Sequence, residues 1–198
     1  MPRISEPTVA EHRAVRERAL LDAAHELLME TGKPPALAQV AQRVGMSRTS
    51  IYQYFASQSV LLRAMVGDVF PRWTQRIASA MEQAPTPADR LLVYAVANVS
   101  LVAEGAHAVG TALAAEAPGE ELDEQASRMH REAQEPLVQT LKELDVEAPE
   151  DVAALIDSVV HGATLLLESG QELDAALRHV QVILGPLVRE HGGRGVVS

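Results

Sequence analysis

Residues 37–55, LAQVAQRVGMSRTSIYQYF, decide the fold of this 198-residue chain. A short run with apolar side chains at helical spacing, Leu37 to Val44, stops at Gly45. Ser47 can then cap a second short helix that continues to about Tyr54. Two short helices joined by a glycine-containing turn form a helix-turn-helix pattern, the arrangement that places its second helix in the major groove of DNA.

The second helix of this pattern carries side chains suited to DNA and no carboxylate. Gln53 can pair with an adenine edge, and Thr49 can offer its methyl group to thymine. Tyr52 and Tyr54 can donate hydrogen bonds to phosphates, whereas Phe55 is expected to turn inward as a core anchor. The predicted DNA-binding residues are Ser47, Arg48, Thr49, Ser50, Tyr52, Gln53 and Tyr54.

The rest of the chain favours an all-α fold, because apolar residues recur at spacings of three and four and no strand is predicted. Helices are expected at about residues 11–30, 58–81, 88–103, 106–116, 120–144, 150–168 and 171–190. Pro136 is expected to interrupt one of them, and the tail GGRGVVS to be disordered. The predicted organisation is a three-helix helix-turn-helix domain in residues 1–60 and a helical-bundle domain for ligand binding and dimerisation in residues 61–198.

Charge and composition limit the classes of function. The net charge is −10, which by itself argues against a nucleic-acid partner. Residues 1–60 hold seven Lys or Arg against six Asp or Glu, or +1, so the other 138 residues carry about −11. The absence of cysteine excludes disulfides and thiolate zinc sites. No leader-like segment or membrane-length apolar run is present, so a cytoplasmic location and no membrane partner are expected.

Residues 14–66 resemble the DNA-binding domain of the tetracycline-repressor (TetR) family. Three motifs carry the resemblance: Gly-x-Ser at residues 45–47, Ile-Tyr-x-x-Phe at 51–55 and Ser-x-x-x-Leu-Leu at 57–62. The end of the chain resembles the two dimerisation helices of that family more weakly. The resemblance implies a homodimeric transcriptional regulator, usually a repressor, which binds a palindromic operator in double-stranded DNA and is released by a small-molecule effector. It implies no cofactor, metal or enzymatic activity.

Three residues depart from the pattern of the family. Ala36 stands where a Thr or Ser often opens the second helix, so a side-chain cap and a phosphate contact are missing. Gln58 stands where a Lys is usual, which removes a charged phosphate contact. Thr49 adds a side chain to the DNA face at a position that is often Gly. The first two predict weaker non-specific binding and a smaller dependence on salt.

A hinge is predicted in the helix that follows the helix-turn-helix. Pro71 removes the backbone hydrogen bond to Gly67, and a glycine facing the proline ring is expected to relieve the clash there. The hypothesis is that ligand-driven movement is absorbed between these two residues. A static kink set by packing is the alternative.

The C-terminal part has candidate residues for two roles. A nearly all-apolar helix at 88–103 should be central, and polar groups in a core surrounded by small residues can form a small-molecule site. The predicted ligand-binding residues are Trp73, Tyr94, Asn98, His107 and Thr111. The predicted dimer interface consists of apolar residues on the last two helices, namely Leu155, Val159, Leu166, Val180, Ile183, Leu184 and Leu187. A polar stripe formed by Asp157, His161, Thr164 and Glu168 is solvated, an interface network or a pocket rim.

Two other classes of protein remain as alternatives. Glu104 and His107 form a Glu-x-x-His pair of the kind found in di-iron helical bundles, but no second pair exists, so a metal-binding enzyme is disfavoured. A helical interaction protein that has lost DNA binding would account for Ala36, Gln58 and the acidic net charge.

Overall fold

A computed structural model describes the backbone of residues 9–105 and 120–195 and the side chains of residues 10–105 and 128–195. Within these residues all regular secondary structure is helical, which confirms the predicted all-α class. The elements are α1 Val9–Thr31, α2 Leu37–Arg43, a 3-10 helix Ser50–Gln53, α3 Gln58–Glu82, α4 Asp89–Ala103, α5 Glu120–Glu143, α6 Pro149–Glu168 and α7 Leu173–Glu190. The helix predicted at 106–116 lies outside the described residues.

The chain divides into two compact units, and the division falls inside α3, between Asp68 and Val69. The N-terminal unit contains α1, α2, the 3-10 helix and the first part of α3. The C-terminal unit contains the rest of α3 together with α4, α5, α6 and α7. The proposal from sequence placed the domain boundary after residue 60, near the beginning of the same helix.

Apolar side chains from each helix of the N-terminal unit fill one core. In this unit α1 packs against α2, and α2 packs against the 3-10 helix. The apolar positions of α1 recur every three to four residues, so they form one buried face. Side chains at most 2% exposed are Leu20, Ala24, Leu28, Val40, Ala41, Ile51, Phe55, Leu61, Leu62 and Met65. Phe55 therefore is the inward anchor that the sequence predicts.

The turn after α2 explains why glycine occupies position 45. The Gly45 amide donates to the Gln42 carbonyl at 3.1 Å, and the Met46 amide donates to the Ala41 carbonyl at 2.8 Å. This pair of bonds is a Schellman motif, which requires a left-handed residue after the helix. Gly45 has φ +68°, a conformation that other residues adopt only with strain.

In the C-terminal unit α4 is the central helix and packs against α5, α6 and α7. Its buried side chains include Leu91, Leu92, Ala95 and Val99, each with no exposed surface. The broad apolar surface of α4 accounts for this position, because a helix that is apolar on most sides must be covered on most sides.

Two predictions about the C-terminal unit are wrong. Pro136 does not interrupt its helix, because α5 continues from Glu120 to Glu143 with the proline inside it. The end of the chain is not disordered up to residue 195, because the amides of Arg194 and Gly195 donate to Asp89 Oδ1 at 2.7 and 3.2 Å. A buried carboxylate 105 residues earlier in the chain thus binds the segment. Residues 196–198 lie outside the described part.

Among the described residues, no helix combines the length and the apolar character needed to cross a membrane.

Candidate nucleic-acid interface and effector region

The recognition segment, residues 47–54, is more tightly wound than predicted. The sequence favours an α-helix, but the structure has a turn followed by the 3-10 helix Ser50–Gln53. Ser47 opens the segment as predicted, because its Oγ accepts the Ser50 amide at 3.1 Å. Ile51 is buried beneath the segment, and its carbonyl accepts the amides of Tyr54 and Phe55 at 2.9 and 3.0 Å. The segment is therefore held from within the unit while its other side remains open.

The predicted DNA-binding residues lie together on this segment. Ser47, Arg48, Thr49, Tyr52 and Gln53 are exposed, whereas Ser50 and Tyr54 are half-buried. Tyr52 is a large apolar ring with 50% of its surface exposed, which a folded core does not explain.

Three hydroxyl groups of the segment bond to one another. Ser47 Oγ lies 2.7 Å from Ser50 Oγ and 3.0 Å from Thr49 Oγ1. Each hydroxyl has one proton to donate, so this network uses donors that could otherwise reach phosphates or bases. The side chains of Arg48, Tyr52 and Gln53 have no partner of this kind within the described residues.

Sequence reasoning missed one residue that contacts the recognition segment. Arg13, on α1, donates from Nη2 to the Gln53 carbonyl oxygen at 2.9 Å. Its guanidinium carbon lies 5.1 Å from the centroid of the Tyr54 ring. The contact spans 40 residues of sequence, and no local pattern marks a residue for such a role.

Two arginines of the N-terminal unit bond to carboxylates, and the others that the structure describes do not. Arg18 bonds to Asp22 and Asp68, and these two carboxylates raise its pKa, with Asp22 the stronger influence. Arg43 bonds to Glu30, which raises the arginine pKa and lowers that of the glutamate. These two cations are partly neutralised by their neighbours.

Arg13 and Arg48, like the exposed Arg16 and Arg63, have no carboxylate partner among the described side chains. Arg13 and Arg48 lie on, or in contact with, the recognition segment. Part of the positive charge that has no carboxylate partner therefore lies at the recognition segment, where a phosphate backbone would be met.

Two of the three departures from the family pattern have structural consequences. Ala36 gives α2 no side-chain cap, as predicted, but Gln39 Oε1 accepts the Ala36 amide at 3.0 Å. Gln58 donates from Nε2 to the carbonyls of Pro34 and Pro35 at 3.3 and 3.2 Å. Gln58 therefore ties the beginning of α3 to the loop before α2 and has a structural role in place of a phosphate contact.

The predicted hinge residues lie on either side of the division between the units. Gly67 belongs to the N-terminal unit and Pro71 to the C-terminal unit, within one continuous helix. A Cβ added at Gly67 would meet nothing within 4 Å, so the proline ring does not require glycine there. The expectation that glycine relieves a clash is therefore wrong, and the hinge itself stays a prediction.

Two of the predicted ligand-binding residues lie in the core of the C-terminal unit. Tyr94, 2% exposed, donates its hydroxyl to Asp157 Oδ1 at 2.8 Å. Asn98, 6% exposed, donates from Nδ2 to the Tyr94 carbonyl at 2.9 Å. These bonds satisfy donors that a ligand would otherwise meet.

Asp157, predicted as part of a polar stripe on its helix, is the centre of a polar cluster. Besides Tyr94, it accepts Gln134 Nε2 at 2.7 Å, and His130 Nε2 lies 3.3 Å from its Oδ2. The hydrogen bond to Asp157 raises the pKa of His130, and burial followed by the nearby carboxylate raises that of Tyr94. Asp157 and the buried Thr164 differ from the exposed His161 and Glu168, so the stripe is not uniform.

Trp73 has a different environment. Its ring packs against the core of the C-terminal unit, and its buried Nε1 has no hydrogen-bond partner among the described residues. A buried donor without a partner is unfavourable, so a hydrogen bond from the Trp73 indole to an acceptor on a ligand would stabilise the complex. The other two predicted ligand-binding residues, His107 and Thr111, lie outside the described residues.

An open groove of about 570 Å³ lies between the second part of α3 and the end of α4. Its lining residues are Arg72, Gln75, Arg76, Ser79, Ala80, Gln83, Ala97, Ser100 and Leu101. Of the predicted ligand-binding residues that the structure describes, Trp73, Tyr94 and Asn98, none lines it. Arg76 already forms an ion pair with Glu104, with N–O distances of 2.5 and 2.9 Å.

The predicted dimer residues separate into exposed and buried groups. Leu155 and Ile183 are 67% and 57% exposed, but Val180 and Leu184 are only 1% and 5% exposed and belong to the core of the unit. Such buried residues have almost no surface to offer a partner, because they cover α4 and its neighbours. Val159, Leu166 and Leu187 are half-buried.

Two exposed apolar residues on the same helices were not predicted. Leu165 is 51% exposed and Val182 is 73% exposed. Leu165 lies ten residues after Leu155 on α6, and Val182 lies beside Ile183 on α7. When a helix has apolar residues on two faces, helical spacing alone cannot tell which face packs against the core of its own chain.

The Glu-x-x-His pair gains no support as a metal site. Glu104 bonds to Arg76, which lowers the glutamate pKa, and His107 is outside the described residues. The described residues contain no group of three or more His, Asp or Glu side chains able to hold a metal ion.

The glycine turn, the buried anchors and the exposed recognition segment together define a helix-turn-helix domain. Residues 20–65 match the family of bacterial regulatory proteins, tetR family. This match confirms the resemblance to the tetR family that the sequence predicts for this part of the chain. No curated protein matches the chain significantly.

Solved structures of transcriptional regulators share the fold over most of the chain. A regulator from Rhodococcus sp. Rha1 has TM-score 0.74 and 19% identity, covering 92% of this chain and 99% of that one. A TetR-family regulator from Pectobacterium atrosepticum has TM-score 0.71 and 20% identity, covering 92% and 96%. FadR from Bacillus subtilis, in complex with stearoyl-CoA, has TM-score 0.67 and 17% identity, covering 84% and 96%. The two-part helical architecture is thus that of TetR-family regulators.

Proposed function

We propose that the protein is a cytoplasmic transcriptional regulator that binds a palindromic DNA operator as a homodimer and is released by a small molecule. Repression is proposed over activation because it is the usual mode in the family. The observation that carries the proposal is the recognition segment, which exposes Arg48, Tyr52 and Gln53 above a buried Ile51 and Phe55.

The proposed role of the recognition segment is direct contact with the major groove. Arg48 is suited to a guanine edge or a phosphate, and Gln53 to an adenine edge. Tyr52 would donate its hydroxyl to a phosphate while its exposed ring covers the sugar backbone. A buried tyrosine would have no such use, so its exposure supports the assignment.

Selection from random duplex DNA tests this proposal. The purified protein is expected to enrich a palindromic sequence, because a two-fold symmetric dimer reads two equal half-sites. An Arg48→Ala/Tyr52→Ala variant should lose the enrichment. Arg178→Ala is the matched control, since Arg178 is an exposed arginine on α7 in the C-terminal unit. Equal enrichment by the double variant would contradict the assigned interface, and no enrichment by the unmodified protein would contradict the regulator proposal.

Dimerisation is proposed to use the exposed apolar residues of α6 and α7. Leu155, Leu165, Val182 and Ile183 are each more than half exposed, and exposed apolar groups of this size on neighbouring helices are typical of an interface. Gly162, on α6, leaves open space where a Cβ would stand, so a partner helix could approach closely there.

Sedimentation equilibrium of a charge variant tests the interface. Val182→Glu/Ile183→Glu places two carboxylates in the proposed contact without disturbing the core, because both side chains are exposed. The expected result is a monomer, whereas the unmodified protein should be a dimer. Met29→Glu is the control, since Met29 is 54% exposed but lies on α1. A dimer that survives the double change would exclude this face.

Effector binding is proposed for the C-terminal unit near Trp73, with Tyr94 and Asn98 as further contacts. The support is the unpaired indole nitrogen of Trp73, which a ligand acceptor would satisfy. Trp73 is the only tryptophan, so its fluorescence reports on this region alone. Stearoyl-CoA, which binds the Bacillus subtilis FadR of similar fold, is the first probe, with free coenzyme A as the control for its polar part. If the probe quenches the fluorescence of the unmodified protein but binds Trp73→Phe with the same affinity, the binding site does not involve Trp73.

The helical interaction protein remains the alternative function. It is favoured by Gln58, whose amide bonds to loop carbonyls in place of a phosphate, and by the net charge of −10. The DNA selection separates the two, because an interaction protein would enrich no sequence even at low salt.

A further inference from the structure

The end of the recognition segment is braced by a residue from α1. Arg13 Nη2 donates to the Gln53 carbonyl at 2.9 Å, and the Arg13 guanidinium lies over the Tyr54 ring, 5.1 Å from its centroid. The two contacts are made to consecutive residues, so a single side chain holds both the backbone and a ring at the place where the segment ends.

The Gln53 carbonyl receives no hydrogen bond from the backbone of its own segment. It lies at the C-terminus of the 3-10 helix, where the last carbonyls have no donor within the helix. The next two amides, those of Tyr54 and Phe55, donate to Ile51 and not to Gln53.

Arginine is the residue type that can make both contacts at once. Its guanidinium is planar, so one edge can donate to a carbonyl while the face lies against an aromatic ring. Only one of its five N–H groups is used in the bond to Gln53, so donors remain for another partner. Arg13 is exposed and has no carboxylate partner among the described side chains, so its charge is not neutralised there.

We propose that Arg13 is a positioning residue for DNA recognition: it fixes the end of the recognition segment and the ring of Tyr54 in the geometry that meets DNA. The proposal rests on the proposed DNA-binding function and deepens it. Simple attraction of a phosphate by the Arg13 charge would need neither contact, so positioning and charge can be separated by replacing the arginine with lysine.

The first test uses the free protein and no DNA. Hydrogen exchange, measured by mass spectrometry over residues 50–56, should be several-fold faster in Arg13→Ala and in Arg13→Lys, because lysine cannot make the planar double contact. Arg16→Ala is the matched control, since Arg16 is an exposed arginine three residues later on the same helix. Unchanged exchange in both Arg13 variants would overturn the proposal.

The second test measures affinity for the selected duplex as a function of salt. Arg13→Lys keeps the charge, so its salt slope should stay within error of the unmodified protein while its affinity falls about five- to tenfold. Arg13→Ala should lose at least as much affinity. If Arg13 also binds a phosphate, the salt slope of Arg13→Ala should be smaller than that of the unmodified protein by about 0.9. Lysine binding as tightly as arginine would overturn positioning and leave only a charge effect.

A double-mutant cycle identifies the ring contact. Arg13→Ala and Tyr54→Leu should be less than additive in affinity if they remove one shared interaction, and additive effects would overturn the role of the ring. If the unmodified protein binds no duplex at all, the proposed function fails. The hydrogen-exchange result then still decides whether Arg13 holds the segment.

Discussion

Asp89 carries the largest stability effect that we predict for a single side chain. It is 2% exposed at the beginning of α4. Its Oδ2 accepts the Thr86 hydroxyl at 2.9 Å, and its Oδ1 accepts the amides of Arg194 and Gly195 at 2.7 and 3.2 Å. Asp89→Ala should remove all three bonds and release the end of the chain.

The expected loss is about 2–4 kcal/mol of unfolding free energy for the C-terminal unit. Hydrogen bonds to a charged group contribute about 1.5–3 kcal/mol each. The sum is reduced because the released amides of Arg194 and Gly195 can reach water. A loss of about 3 kcal/mol lowers the melting temperature by about 6–12 °C in a chain of this length.

Trp73 fluorescence in a denaturant titration measures this loss, because the single tryptophan lies in the same unit as Asp89. A chain that ends at Gly192 should lose most of the same free energy, and Asp89→Ala should then add little. Gly193→Ala should act similarly, since a Cβ there would lie 2.5 Å from Val188 Cγ1. A loss below about 0.5 kcal/mol for Asp89→Ala in the full chain would refute the reasoning. The same holds if Asp89→Ala costs as much in the shortened chain as in the full chain.

Three further predictions concern α3 and the Asp157 cluster. Gly67→Ala should raise helix stability by about 0.5–1 kcal/mol in thermal unfolding followed by circular dichroism, because its Cβ meets open space; destabilisation would contradict this. Gln58→Lys should steepen the salt slope of DNA binding by up to about 0.9, and an unchanged slope would place residue 58 away from phosphates. His130 faces Asp157, which raises its pKa, and Arg131, which lowers it. The stabilisation of the folded state by protonated His130 beside Asp157 is therefore complete below the unfolded-state pKa of the histidine. It disappears as pH rises through the raised folded-state pKa. The unfolding free energy of His130→Gln should be lower than that of the unmodified protein at pH 6, and the difference should vanish at alkaline pH. The difference at pH 6 should be less than about 1 kcal/mol, because the His130 side chain is exposed.

The sequence predicts well those features that depend on neighbours along the chain. Gly45 and Gly170 end their helices with left-handed backbone, as their positions indicate. Ser47 caps the recognition segment as predicted, since the Ser50 amide donates to its hydroxyl. Such signals depend on spacings of three to five residues, so they can be read without knowledge of the tertiary structure.

The features that the sequence does not predict depend on distant partners. The tail could not be joined to Asp89 across 105 residues, nor Arg13 to Gln53 across 40, because no pattern links them. Thr86 and Asp89 could have been recognised as a local cap for α4, since the Asp89 amide donates to Thr86 Oγ1 at 3.1 Å. The second carboxylate oxygen, which binds the tail, has no such local signal.

The pairing of charges in the N-terminal unit is compatible with a DNA-binding surface, as we propose, in a chain that is acidic overall. Arg18 and Arg43 are engaged by carboxylates on their own or neighbouring helices, so they contribute to the unit and little to an external field. Arg13 and Arg48 have no such partner among the described side chains, and both lie at the recognition segment. Affinity should then depend on how well the segment is positioned as well as on counterion release. We propose that Arg13 both carries charge and fixes the segment. It should therefore contribute more to DNA affinity than its single charge implies.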